Sequence, residues 1–122
     1  MVEASTTEAW PTDLKVEEQG RVLAILFDDG GAFKIPAELL RVESPSAEVK
    51  GHGPGQEQLV WGKRDVMITG AAPVGNYAVR LKFSDGHDTG LFTWHYLATL
   101  GRDQKVLMAA YEAKLKDAGL RR

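Results

Sequence analysis

The sequence predicts an α+β domain: a mainly antiparallel β-sheet with a short central helix and C-terminal helices. Three observations carry the prediction. The stretch "NYAVRLKF" (76–83) alternates as a half-buried antiparallel strand does. Turn signals at Gly20, "DDGG" (28–31) and "SDGH" (84–87) cut the chain into strand-length pieces. After Trp94 the apolar spacing changes from two to a helical period.

The elements follow in order. Residues 1–11 read as a flexible polar tail. "TDLKVEE" (12–18) alternates weakly, with Leu14 and Val16 on one face. "RVLAILF" (21–27) is a continuous apolar run of strand length, the pattern of a strand covered on both faces. "DDGG" supplies turn residues, and "AFKI" (32–35) returns as a second strand. "PAELLRV" (36–42) places Pro36 at the first helical position, followed by good helix formers, for one or two helical turns. "ESPSAEVKGHGPGQEQ" (43–58) has three glycines and two prolines, so it reads as a loop.

"DVMITG" (65–70) reads as a strand ended by "AAPVG". In "NYAVRLKF", Tyr77, Val79, Leu81 and Phe83 point one way, with Tyr77 in the core and its hydroxyl at the edge; Ala78, Arg80 and Lys82 point the other way. "DTGLFTW" (88–94) pairs back after the turn. "WHYLATLG" (94–101) reads as a helix stopped by Gly101. A second helix presents Leu107, Ala110, Tyr111, Leu115 and Ala118 as one stripe and ends at Gly119. The organisation expected is a tail (1–11), a domain (12–100) and a helical extension (101–122).

Composition narrows the function classes. A chain of 122 residues with 43% apolar and 26% charged residues forms one globular domain with a core of its own. It has no cysteine, which removes disulfides, thiolate metal sites and thiol nucleophiles. The N-terminus lacks the basic and apolar regions of a signal peptide, and no apolar run reaches membrane-helix length. A cytoplasmic protein is expected. The net charge of −2 disfavours nucleic acid as a partner. Charge is uneven, however. Residues 102–122 carry six basic side chains against three acids, a face that is either simply solvated or met by an acidic partner.

The candidate chemistry centres on "SDGHD" (84–88). Histidine as a residue type titrates near neutral pH and ligates metals well, and Asp85 and Asp88 lie close enough in sequence to His87 to orient it or share a cation. The same residues also make a plain β-turn in which Asp85 bonds its own backbone. His95 and His52 read as packing or surface residues, and nothing in the histidine spacing forces convergence on a metal. "GHGPGQEQ" lacks the Lys-Ser/Thr of a phosphate loop, and no nucleophile elbow is present. Arg41 and Arg80 suit anions or a partner's carboxylates, with surface ion pairs as the plainer alternative.

Two stretches together add a resemblance. "DDGGAFKIPAELLRVESPSAE" and "PVGNYAVRLKFSDGHDTGLFTWHYL" resemble the gamma-butyrobetaine hydroxylase-like N-terminal domain family over about residues 12–100. The resemblance implies a compact α+β domain of the kind found as small bacterial proteins, at the N-terminus of carnitine-pathway oxygenases, and fused to P-loop ATPases that handle iron–sulfur clusters. In the oxygenases it implies a structural zinc held by three cysteines and the histidine of "DGH". Here the histidine matches His87, but the cysteine positions fall on Ser44, Ser46 and Val49. Two hydroxyls and a valine do not replace three thiolates. The resemblance therefore implies no oxygenase-type zinc, and no oxygenase activity without the separate catalytic barrel. It leaves His87 to tie the turn to residues 44–48.

Two functional readings follow. The first is a non-catalytic binding or accessory module, with no catalytic residue and no cofactor. Its partner, by analogy with the fusions, is an iron–sulfur carrier ATPase or another metabolic enzyme. Its interaction surface is sought around Arg41, Ser44, Ser46, Arg80 and Asp88. The second is a metal-binding protein that holds iron or zinc through His87 and Asp85. An enzyme acting on a small metabolite ranks below both, since it needs a concave pocket around His87 and Arg80.

Overall fold

The computed structural model describes residues 10–45, 60–88 and 90–122. Two three-stranded antiparallel sheets follow one another along the chain. The first has the order β1-β2-β3, from Pro11–Glu17, Val22–Phe27 and Ala32–Pro36; the second has the order β4-β5-β6, from Ile68–Val74, Ala78–Phe83 and Gly90–Thr93. A short helix, α1 (Ala37–Val42), closes the first sheet, and a long helix, α2 (Trp94–Asp117), leaves the second. The fold is α+β and mostly β.

Both sheets are meanders because every connection within them is short. Asp29 Oδ1 accepts the Gly31 amide at 2.9 Å and so closes the β2–β3 turn. The chain before β1 is already engaged: the Trp10 amide donates to Asp28 Oδ1, and the Asp28 amide donates back to the Trp10 carbonyl.

Four expectations meet a different outcome. The apolar run of β2 is covered on one face only: Leu23, Ile25 and Phe27 are buried, while Leu26 is 42% exposed. With helix on one side alone, alternate residues of even an all-apolar strand face water. β4 starts later than predicted and runs on through "AAPV" to Val74. It tolerates Pro73 because it is an edge strand, where one row of amides needs no partner. Tyr77 is 53% exposed rather than in the core, because β5 begins at Ala78 and Tyr77 belongs to the preceding turn. Pro36 caps α1 instead of opening it.

The largest correction concerns Gly101. It does not stop a helix; α2 runs through it without interruption for 24 residues. Thr93 starts the helix by accepting the Tyr96 amide on its hydroxyl at 3.1 Å. The chain turns only after Asp117, where the Leu120 amide returns to the Leu115 carbonyl at 2.8 Å. A glycine in mid-helix costs about 1 kcal/mol against alanine, so it needs a reason. The reason is Phe33 of β3: a Cβ on Gly101 would lie 2.4 Å from the Phe33 ring. Of the expected stripe, Tyr111 and Leu115 are buried and Leu107 is partly buried, while Ala110 and Ala118 face solvent.

One apolar cluster joins all layers: Leu23, Ile25 and Ile35 from the first sheet, Val79, Leu81 and Phe92 from the second, and Leu97 and Leu100 from α2. Fully burying each such side chain contributes about 2 kcal/mol. Replacing Gly101 with alanine should lower stability by about 1–3 kcal/mol in urea unfolding, despite the better helix propensity, because the new methyl meets Phe33. In a Phe33→Ala background the same change should be neutral or stabilising. An equal loss in both backgrounds would show that the ring is not the cause.

Candidate functional site

The "SDGH" turn folds back on its own strand. The Gly86 amide donates to the Phe83 carbonyl at 3.0 Å, and the Phe83 amide donates to the His87 carbonyl at 2.8 Å. The Ser84 hydroxyl accepts the Met67 amide at 3.0 Å, and the Ser84 amide donates to the Met67 carbonyl. The turn is thereby locked to the chain entering β4 before any tertiary contact is counted.

Asp85 is the hub. Its Oδ2 accepts both Arg41 Nε and Lys63 Nζ, each at 2.7 Å, and its Oδ1 accepts the His87 amide at 3.1 Å. Burial by itself would raise its pKa, but the bonds from Lys63, the His87 amide and Arg41 outweigh burial and hold it down at about 2. The carboxylate is committed to two cations of the protein. A metal ion at Asp85 would have to displace them.

His87 faces the other way. Its Nε2 is 3.0 Å from the hydroxyl of Ser44, which is only 4% exposed. The ring also packs against Phe83, with centroids 6.0 Å apart. The approach of Ser44 is possible because residue 90 is glycine: a Cβ there would lie 2.6 Å from Ser44 Oγ. Just beyond, the Tyr96 hydroxyl donates to the Glu43 carbonyl at 2.6 Å. Burial, together with the neighbouring Glu43, pushes the Tyr96 phenol up to about 12.

Of the residues singled out from sequence, Arg41, Ser44, Asp85 and His87 are brought together. Ser44 is buried, beneath the surface rather than on it. Arg80 is exposed on β5, opposite Ala72 and Leu91 and away from this cluster. Asp88 is exposed, with no ion pair among the described residues. Ser46, Val49 and His52 lie outside the described residues, and His95 is exposed at the start of α2. Arg41 Nη1 is buried with no hydrogen-bond partner among the described residues.

Sequence reasoning missed Lys63 and Glu38. Lys63 sits in "GKRD", where nothing local announces a partner 22 residues further on. Glu38 is 5% exposed and is held by Arg122, whose Nε and Nη2 reach its carboxylate at 2.8–3.3 Å.

The donor set does not fit a thiolate zinc site. His87 is joined to a serine hydroxyl, and among the described residues no three His, Cys, Asp or Glu side chains gather as metal ligands. Nor is any helix among them long and apolar enough to cross a membrane.

Comparison with known proteins identifies the family and the fold. A family model described as gamma-butyrobetaine hydroxylase-like, N-terminal, matches residues 14–98. Two solution structures determined by NMR are similar to this chain. One is 48% identical, covers all of this chain and 90% of its own, and has a TM-score of 0.81. The other is 42% identical, covers 93% of this chain and 90% of its own, and has a TM-score of 0.80. A crystal structure of a protein of unknown function in the DUF971 family, from Acidithiobacillus ferrooxidans, is 41% identical. It covers 75% of this chain and 91% of its own, with a TM-score of 0.62. No curated protein matches.

The hub makes two outcomes measurable. Asp85→Asn should cost about 1–2 kcal/mol near neutral pH, the usual worth of charge-assisted bonds at a partly buried site. Because the folded pKa is depressed, the carboxylate's contribution is complete above the ordinary aspartate pKa of 3.8 and fades as pH falls toward about 2. Urea unfolding across that range should therefore show wild type and Asp85→Asn converging in acid. A constant gap would refute the ionic role. Gly90→Ala should part Ser44 from His87 and lower the melting temperature; unchanged His87 ring resonances in NMR would contradict the contact.

Proposed function

The chain belongs to the gamma-butyrobetaine hydroxylase-like N-terminal family, and from that premise we propose that it is a non-catalytic accessory module that binds another protein. The observation behind the reading is that the acid and the histidine of the polar cluster are both engaged by neighbouring groups of the chain. Asp85 is taken up by Arg41, Lys63 and the His87 amide, and His87 by Ser44. A catalytic base or nucleophile has to face a reacting atom. These groups face one another, and they stiffen a junction between α1, the β5–β6 turn and the segment before β4.

The partner proposed is an iron–sulfur carrier ATPase or another metabolic enzyme. The warrant is analogy with the company this kind of domain keeps, not a site in this chain. The reading takes the protein as a small bacterial, cytoplasmic member that works without a cofactor, on neither nucleic acid nor membrane.

The test is metal content by mass spectrometry of untagged protein purified without chelator, wild type beside His87→Ala, followed by affinity capture from the native cell. Neither protein should carry metal, and wild type should recover one specific partner. A near-stoichiometric metal lost in His87→Ala would replace this reading with iron or zinc binding through His87 and Asp85.

A further inference from the structure

We infer that the groove between the C-terminal turn and the segment Trp61–Arg64 docks an acidic segment of a partner protein. The inference rests on the accessory-module reading and names the surface that would serve it. A hollow of about 330 Å³ is lined by Arg64, Lys116, Arg121 and Arg122 together with Leu115 and Leu120. Its lone acid, Glu112, lies 3.6 Å from Arg122. Arg122 is spent on Glu38 and Glu112, but Arg64, Lys116 and Arg121 have no acid within ion-pair distance among the described residues. Among the described residues, three cations therefore border one groove uncompensated, in a chain whose net charge is −2.

A second observation is independent of charge. Trp61 is 52% exposed. It is also held in place: the Tyr111 hydroxyl donates to the Val60 carbonyl at 2.6 Å, and the Gly62 amide donates to the Arg121 carbonyl at 3.1 Å. A large apolar ring kept in solvent on a pinned backbone, beside free arginines, has the composition in which protein interfaces concentrate their binding energy. Pinning lowers the ordering cost of association.

The occupant follows from the chemistry. Arginine forks pair with carboxylates in bidentate fashion. Leu115, Leu120 and Trp61 offer contact to apolar side chains between those carboxylates. A strand of nucleic acid would meet phosphate-binding residues along a longer basic track, whereas this chain carries five acids in its first twenty residues and an acidic net charge. A polypeptide that mixes acidic and apolar residues matches the groove.

The test is an amide NMR titration of the full chain with a short peptide of repeating Glu-Glu-Leu. Shifts should gather at residues 61–64 and 112–122 and weaken with added salt. Arg64→Glu combined with Arg121→Glu should weaken binding at least about tenfold. Lys34→Glu, on the first sheet, should leave binding unchanged. Arg64 and Arg121 are both exposed, and an unperturbed spectrum away from the groove certifies the fold of the variant. Four results would overturn the inference: no shifts, equal binding by the charge-reversed variant, equal binding of a Gln-Gln-Leu peptide, or tighter binding of a single-stranded oligonucleotide of the same charge. A native partner captured equally by wild type and the charge-reversed variant would remove the groove but keep the module reading. Capture of no specific partner would count against the module while the titration still judges the groove.

Discussion

A helix of six residues does not hold itself together in water, because nucleation costs more than one turn of hydrogen bonds returns. α1 persists because residues in and just after it make four ties to three distant parts of the chain. Glu38 is clamped by Arg122, Arg41 joins Asp85, the Glu43 carbonyl receives Tyr96, and Ser44 meets His87. The apolar side of the same helix, Ala37, Leu39 and Leu40, is fully buried. The C-terminal turn, the long helix, the β5–β6 turn and the first sheet are all referenced to this one short element.

The core beneath it has a comparable logic. Each three-stranded meander has an apolar face to bury and finds its cover in the other layers. The two sheets and α2 share a single apolar cluster, and the sharing requires close backbone approaches. Phe33 reaches the axis of α2 only across Gly101, and Ser44 reaches His87 only past Gly90. These two glycines spend helix or strand propensity to gain contact, so local preference and global packing disagree there and packing prevails.

The polar ties hold charge in place within the fold. In the Asp85 hub, charge and hydrogen bonds favour the ionised form more than partial burial opposes it, and the result is a carboxylate held near a pKa of about 2. That favours rigidity over proton transfer, which works best with a group poised near the ambient pH. Where a thiolate metal site would bring four donors to a cation, this chain uses a serine–histidine contact and an aspartate between two cations to join the same neighbourhood. The groove at the other end of α1's network, beyond Arg122, is lined by basic side chains without an ion pair among the described residues.

What the sequence by itself determined is the local content. The meander turns at 28–31 and 84–87, the alternation of β5 and the helical period after Trp94 were legible because each depends on neighbours within a few residues. The family pattern was legible for the same reason, as was the pairing of His87 with the segment after α1 that the resemblance implied. The tertiary structure decided the rest. Tyr77 left the core because β5 begins at Ala78, two residues after the alternating stretch does, which leaves Tyr77 in the turn. Gly101 became a contact instead of a stop because Phe33, 68 residues earlier in the chain, packs on it. Lys63 and Arg122 joined Asp85 and Glu38 for a reason no window of sequence contains. A long cation stem can reach any acid that folding brings near, and only the packed chain specifies which one it meets.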